Sequence, residues 1–180
     1  MLYSTGYASP LGAITLASDG DNIVGLWLDG QKYFAATIKG AVMEKPDLPV
    51  FVRAKKWLDA YFAGKKPAIS DLPLVPAGGG EFRKAVWDIL REIPYGHCTT
   101  YGEIAKKMAA RMNKKSMSSQ AVGGAVGHNP ISIIIPCHRV VGSNGSLTGY
   151  AGGIGKKITL LEHEGVDMSN FFVPGKGTAL

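Results

Sequence analysis

The segment Ile131–Tyr150, ISIIIPCHRVVGSNGSLTGY, contains the side chains best suited to chemistry. It places Cys137 between a proline and the pair His138–Arg139, after an apolar run that is interrupted only by Ser132. A cysteine held by a buried strand, with a base beside it, is typical of a positioned nucleophile. The alternative is a structural thiol, since free cysteine is among the most buried residue types. The Pro-Cys-His-Arg order favours the nucleophile.

Composition narrows the class of protein. The 180 residues allow one domain or two small ones, and 46% hydrophobic with 19% charged residues is ordinary for a globular protein. Two cysteines, Cys98 and Cys137, are too few for a disulfide framework and indicate a reducing, cytoplasmic setting. The histidines show no metal-ligand spacing, and we expect no metal or cofactor. No secretory signal opens the chain, and no apolar run approaches the ~20 residues that span a bilayer.

The net charge of +6 favours a polyanionic partner. Charge alone is weak evidence for such a partner, because many basic proteins bind no nucleic acid. The charge therefore gains meaning only together with the elements that surround Cys137.

The first half of the chain predicts strands followed by a helix. Residues 1–40 contain short apolar runs separated by the turn Ser18–Asp21, which is typical of a β-hairpin. Residues 47–64 have a helical apolar period and end at a glycine. The Pro/Gly-rich passage 69–80 is the best candidate for a domain boundary.

The second half of the chain predicts mainly helices. Apolar residues recur with helical spacing over 81–93, 99–111 and 154–164, and Thr99 or Thr100 is a plausible N-cap for the second of these. Residues 118–127 form a further helix of almost only small residues.

The helices over 99–111 and 118–127, joined by a basic turn, are a helix-turn-helix candidate. Small side chains on the second helix would allow close backbone approach to a narrow groove. Alternatively, they only permit tight packing between helices. Spacing alone does not separate these two interpretations.

Three motifs together carry a family resemblance. Ile135-Pro-Cys-His-Arg-Val-Val-Gly, Ala121-Val-Gly-Gly-Ala followed by Asn129-Pro130, and Gly149-Tyr-Ala-Gly-Gly resemble the O6-alkylguanine-DNA alkyltransferases, also called methylated-DNA–protein-cysteine methyltransferases. The match is dense from about Glu81 to Gly165. The resemblance implies an α+β protein, with an N-terminal ribonuclease-H-like α/β domain and a mainly helical C-terminal domain that carries the helix-turn-helix. We expect domain bounds of 1–78 and 79–170, with a tail over 171–180.

The resemblance also implies an activity. The protein would bind double-stranded DNA with alkylated bases as a monomer and without a membrane, flip an O6-alkylguanine, and take its alkyl group onto Cys137 once. O4-alkylthymine is a further expected substrate. His138 would act as the base through a water, oriented by Glu164, and Tyr101 would crowd the flipped nucleotide and supply a proton to the purine.

The remaining family positions fall into two groups. Residues at or near DNA contacts are Gln120, Arg139, Gly102, Lys115 and Ser143, although Arg139 could equally form a structural ion pair. Asn129 matches the residue that braces the turn between the recognition helix and the active-site strand. It is grouped with the positions that line the substrate pocket, which are Asn129, Val126, Ser132, Val140, Tyr150, Ala151 and Gly152.

Two positions depart from the family pattern. Gln120 replaces the usual arginine that enters the duplex, so it lacks cation stacking and attraction to phosphate. Ala151 replaces a frequent serine, which removes one hydroxyl donor to the O6 atom of the lesion.

Two other functions stay open on the sequence. A recognition protein that only flags alkylated DNA resembles this family but replaces the nucleophile, and Cys137 argues against it. A cysteine hydrolase with a Cys-His-Glu arrangement would turn over, but the chain has no recognisable hydrolase elbow.

Overall fold

Four strands form a sheet in the first 44 residues. The computed structural model describes residues 1–175. Each strand pairs antiparallel with the next along the chain in the series β1 (Leu2–Ser9), β2 (Gly12–Ser18) and β3 (Ile23–Leu28). The edge strand β4 (Val42–Glu44) lies parallel to β1. The strand order is β3-β2-β1-β4. Asp19 closes the predicted β2–β3 turn by accepting hydrogen bonds from the backbone N–H groups of Asp21 and Asn22. The predicted β structure is therefore confirmed.

One α-helix, the short 3₁₀ helix Ile69–Asp71 and two further segments complete this part of the molecule. Helix α1 (Pro49–Phe62) lies inside the predicted range and buries one face, including Phe51 and Leu58. The segment that contains Leu74 pairs with Ile23, and Pro130 accepts a hydrogen bond from the backbone N–H of Leu26 at 2.8 Å. Residues 1–79 and 130–134 accordingly form a first compact unit.

Helices dominate the second unit, which among the described residues comprises 80–129 and 135–175. The predicted helices are present as α2 (Glu81–Arg91), α3 (Tyr101–Arg111), α4 (Ser119–Gly127) and α5 (Ile154–His163). The side chain of Thr100 caps α3 and that of Ser118 caps α4, each by accepting a backbone N–H of the first turn. Two short parallel strands, β5 (Thr99–Thr100) and β6 (Val140–Val141), join the start of α3 to the chain that follows Cys137.

The buried strand expected before Cys137 is wrong. Ile131 forms a single bridge with Leu26, a turn follows, and Ile133 has a left-handed φ of 69° that no strand contains. Cys137 itself begins a short 3₁₀ turn, Cys137–Arg139. The apolar run is explained by burial, since Ile131, Ile133 and Ile134 are fully buried.

The expected tail lies partly outside the described residues, because 176–180 are not among them. Within it, the backbone N–H of Phe172 donates to Gly145 O and the carbonyl of Phe172 accepts from Leu147 N at 2.9 Å. The helices of residues 1–175 include none with the length and apolar character to cross a membrane.

Candidate active site

The Cys137 thiol is buried at the first position of its 3₁₀ turn. Asn129 follows α4 and fixes the approach to this turn, because its Nδ2 donates to Ile135 O at 2.8 Å. Burial raises the pKa of the Cys137 thiol, and a hydrogen bond from Asn129 and the charge of Lys157 offset only part of that rise. The resting side chain is therefore a neutral thiol that needs a base.

His138, Arg139 and Glu164 form a buried hydrogen-bonded cluster beside Cys137. His138 Nε2 lies 2.7 Å from Glu164 Oε1, and both side chains are fully buried. Arg139 clamps the same carboxylate through Nε and Nη2 at 2.8 and 2.9 Å and donates through Nη1 to Ile93 O. The backbone N–H of Gly96 donates to Glu164 Oε2 at 3.3 Å.

The cluster sets the protonation of its members. Burial raises the pKa of Glu164, but the hydrogen bonds and charges of His138 and Arg139 outweigh this and hold it well below its ordinary value. Burial lowers the pKa of His138, against the hydrogen bond with Glu164 that raises it, so the imidazole is neutral. Because an ionised carboxylate only accepts hydrogen bonds, Nε2 carries the imidazole proton.

The other imidazole nitrogen is available for proton transfer. His138 Nδ1 is buried and has no hydrogen-bond partner within residues 1–175. With the proton on Nε2, Nδ1 has the free electron pair. The arrangement can therefore accept one proton next to the thiol and share the resulting charge with Glu164.

Tyr101 lies at the start of α3, directly after its capping threonine. Its hydroxyl donates to Thr148 O at 3.0 Å, and burial, followed by the charge of a Cys137 thiolate, raises its pKa to about 12. A Cβ added at Gly149 would come within 2.6 Å of the Tyr101 hydroxyl oxygen. The hydroxyl is thus a neutral proton donor against a tightly fitted backbone.

Several predicted pocket positions are buried with these groups. The Tyr150 ring meets His138 edge-on at 6.4 Å between centroids, and the Tyr150 hydroxyl has no hydrogen-bond partner within the described residues. Val126 and Val140 are also buried, whereas Ala151 and Gly152 are partly exposed. Ser132 lies elsewhere: it belongs to the first unit, where its hydroxyl donates to Gln31 Oε1 at 3.1 Å.

The predicted DNA-contact residues lie in different settings. Gln120, Lys115 and Ser143 are exposed, and Gly102 lines a surface cavity of about 550 Å³ together with Lys115. Arg139 forms the structural ion pair that was the alternative to a DNA contact. Its side chain is 7% exposed and its guanidinium is bound to Glu164 and Ile93 O, so the placement among DNA contacts is corrected.

Sequence reasoning missed Lys157. This side chain is fully buried and its ammonium donates to Val140 O and Thr148 O, the latter at 2.8 Å. A lysine is usually assigned to solvent. The available signal was its position on the apolar face of α5, three residues after Ile154 and four before Leu161.

The second cysteine has a packing environment. Cys98 is half-buried against the cluster of Val141, Leu147 and Leu161, and burial raises its pKa. Across residues 1–175, no group of three or more His, Cys, Asp or Glu side chains is placed to hold a metal ion.

Comparison with known proteins identifies the class. Residues 2–76 match the family described as 6-O-methylguanine DNA methyltransferase, ribonuclease-like domain, and residues 81–166 match its DNA binding domain. Methylated-DNA–protein-cysteine methyltransferases of Haemophilus influenzae and Methanosarcina acetivorans are 43% and 45% identical to the chain, each over 91% of its length and over 86% and 99% of theirs. The crystal structure of Mycobacterium tuberculosis OGT in complex with DNA superposes with a TM-score of 0.78 at 41% identity, over 90% of this chain and 92% of that one.

These relatives and this fold define a DNA-repair methyltransferase of the α+β type. The chain belongs to the methylated-DNA–protein-cysteine methyltransferase family. The predicted family, fold class and kind of enzyme are thereby confirmed.

Proposed function

We propose that this protein repairs DNA by moving the alkyl group of O6-alkylguanine, and of O4-alkylthymine, onto Cys137 in a single stoichiometric event. The observation that carries the proposal is the buried Cys137 thiol beside a neutral His138 that is paired with the Glu164 carboxylate. A soft thiolate is the best nucleophile that a protein offers to an alkyl carbon. The thioether product has no group that removes it, so each molecule reacts once.

The first proton moves from Cys137 to His138. Nδ1 has no direct hydrogen bond to Sγ, so a bridging water relays the proton. The imidazolium that forms lies 2.7 Å from the Glu164 carboxylate, which stabilises its charge. Glu164 keeps this role at neutral pH because its pKa is far below 7.

The alkyl transfer then forms one bond and breaks one. Sγ forms a bond to the alkyl carbon, the carbon–O6 bond breaks, and its electron pair goes to the guanine ring. The Tyr101 hydroxyl donates a proton to guanine N3, which leaves a neutral base instead of an anion. The histidinium and the phenolate afterwards exchange protons with solvent.

Reaching the O6 atom requires that the base leaves the helical stack, which costs a few kcal/mol. The net charge of +6 and the pair α3–α4 with its small-residue second helix support binding to the DNA backbone and the narrow groove. The relative from Mycobacterium tuberculosis that has been solved with DNA supports the same partner. Gln120, exposed on α4, would enter the duplex in place of the flipped base.

The test is intact-protein mass spectrometry after incubation with a duplex that contains one O6-methylguanine. We expect one added methyl group, mapped to Cys137, that stops at one equivalent of protein. Cys98→Ser is the matched control and should react like the unchanged chain, whereas Cys137→Ser should gain no methyl group. Tight lesion binding without a mass change would instead support a recognition protein, and repeated turnover would support a hydrolase.

A further inference from the structure

A buried lysine, Lys157, is hydrogen-bonded to the segment that follows the thiol and takes no part in the proposed proton transfers. The ammonium group of Lys157 donates to the carbonyls of Val140 and Thr148, three residues after Cys137 and one before Gly149 respectively. Thr148 O also accepts the Tyr101 hydroxyl. One ammonium therefore ties together the segment after the nucleophile and the loop that holds the proton donor.

The charges around Cys137 do not balance in the resting protein. Arg139 is matched by Glu164 at 2.8 Å, and His138 is neutral. Lys157 forms no ion pair within residues 1–175, since its ammonium meets only carbonyl oxygens. The buried cluster thus carries one excess positive charge while Cys137 is a thiol.

A buried unpaired cation is unfavourable, and two carbonyl oxygens compensate only part of its lost hydration. A Cys137 thiolate would give the Lys157 ammonium the anion that it lacks, whether the thiol proton passes to His138, whose imidazolium faces Glu164, or leaves to solvent. Burial lowers the pKa of Lys157 to about 8, and ionisation of Cys137 or Cys98 to a thiolate would raise it. The reciprocal effect is present, because Lys157 lowers the pKa of Cys137.

We propose that Lys157 is a positioning residue that also serves as the counter-charge of the Cys137 thiolate, so that its ammonium gains an anionic partner only in the reactive form of the nucleophile. This inference rests on the proposed role of Cys137 as alkyl acceptor. A purely structural lysine would hold the two carbonyls equally well whether the thiol is ionised or not.

The experiment measures thiol ionisation without DNA. In a Cys98→Ser background, the rate of Cys137 alkylation by iodoacetamide is followed from pH 6 to 10 for the unchanged lysine, Lys157→Met and Lys157→Arg. Lys156→Met, which removes the neighbouring lysine of the same helix, is the matched control. We expect Lys157→Met to slow alkylation at least about 10-fold at pH 7.5. The rates of the two variants should converge at high pH, where Cys137 is ionised with and without the lysine. Lys157→Arg should recover part of the rate, and Lys156→Met should leave the profile unchanged.

An alkylation profile of Lys157→Met that superposes on the profile of the unchanged protein would overturn the proposal. If Lys157→Met does not fold, the unmutated protein provides the answer through NMR titration of the Lys157 side chain. S-methylation of Cys137 by methyl iodide should then lower the pKa of Lys157, and an unchanged pKa would overturn the proposal. Neither measurement uses alkylated DNA, so failure of the proposed function would appear separately, in the mass of the DNA-treated protein.

Discussion

The Glu164 carboxylate is the residue on which most buried polar groups of the site converge. It faces His138 Nε2 and accepts from Arg139 and from the backbone N–H of Gly96, all within 3.3 Å. Its charge has two uses in the proposed reaction, since it balances Arg139 in the resting protein and would stabilise the imidazolium during transfer. Structural stability and reactivity should therefore be lost together at this position.

Glu164→Gln tests this coupling. Removing the charge leaves Arg139 as a buried unpaired cation, so we expect a loss of roughly 3–5 kcal/mol in the free energy of unfolding at pH 7. Alkyl transfer should slow at least about 10-fold. Urea denaturation and single-turnover kinetics measure the two effects. Glu162→Gln, an exposed carboxylate two residues earlier, should change neither.

Comparison of the unchanged protein with Glu164→Gln also tests a prediction about the pH dependence of stability. The folded pKa of Glu164 lies below the ordinary 4.5, so its contribution is complete above pH 4.5 and is lost as the pH falls toward the folded value. The free energy of unfolding should fall more steeply between pH 5 and pH 3 in the unchanged protein than in Glu164→Gln. Equal slopes would show that another carboxylate causes the acid sensitivity.

Gly149→Ala is expected to displace Tyr101. Gly149 has a φ of 76°, and a Cβ there would lie 2.6 Å from the Tyr101 hydroxyl oxygen. The left-handed conformation costs about 1–2 kcal/mol in a residue with a Cβ, and the hydroxyl must leave Thr148 O. We expect lower thermal stability and slower transfer in single-turnover assays. Gly155→Ala, inside α5 with nothing within 4 Å of the added methyl, should stabilise by up to about 1 kcal/mol and transfer normally.

At the scale of elements, α4 connects the surface proposed to bind DNA to the site. Its N-cap Ser118 and exposed Gln120 lie at one end, and Asn129, which braces Ile135, follows the other. Trp87 of α2 anchors the helix by donating to Ala125 O at 2.9 Å. The packing interpretation of the small residues on α4 holds for Gly123, which lies against the Tyr101 ring, and approach to a narrow groove stays a prediction for the exposed positions.

Gln120→Arg should raise the rate of alkyl transfer from duplex DNA more than that from free O6-benzylguanine. A guanidinium adds attraction to phosphate and stacking inside the duplex, neither of which a free base requires. Single-turnover rates on the two substrates measure the difference. Gln120→Lys separates charge from stacking, because it adds the charge without the planar group. Equal acceleration on both substrates would remove the proposed role of Gln120 in the duplex.

The helices could be predicted because their information is local. Apolar spacing and the caps at Thr100 and Ser118 lie within a few residues of each element, and the structure has these helices within about two residues of the predicted bounds. The strands β5 and β6 could not be predicted, since two residues carry no period and pair across 41 positions. The strand predicted before Cys137 is wrong for a related reason: burial and β-branched residues favour a strand, but tertiary contacts hold Ile133 at a positive φ.

The residues of the site also divide into those that the sequence predicts and those that depend on packing. Cys137, His138, Tyr101 and Glu164 could be proposed from the sequence because each matches a position of the family pattern. Lys157 and the ion pair of Arg139 depend on which side of a helix or turn meets the thiol, and that is decided by packing. A charged residue on an apolar helix face is the general sign that such a group has been overlooked.

At the scale of the whole molecule, the chain passes between its two units three times. It leaves the first unit after Gly79, returns to it at Pro130, and leaves it again after Ile134, shortly before Cys137. Leu26 binds the returning segment on both sides, by donating to Pro130 O and accepting from Ser132 N at 2.9 Å. The isoleucines of that segment are fully buried.

A fragment of residues 80–180 should therefore not fold cooperatively. Three isoleucines would lose burial worth about 1.5–3 kcal/mol each, and Pro130 and Ser132 would lose their backbone partner. We expect no cooperative thermal transition and no alkyl transfer from this fragment, and recovery of both on mixing with residues 1–79. Cooperative unfolding of the fragment alone would contradict the prediction.

The returning segment also constrains how such a gene can be recombined. A crossover at the glycines 78–80 looks neutral in the sequence, because it falls in the Pro/Gly-rich passage between the two halves of the chain. It would nevertheless join a sheet from one parent to a returning segment from another, directly upstream of the nucleophile. Functional chimaeras should therefore be those whose parents agree at Leu26 and over Pro130–Ile134, so that inheritance of the site depends on residues of the first unit.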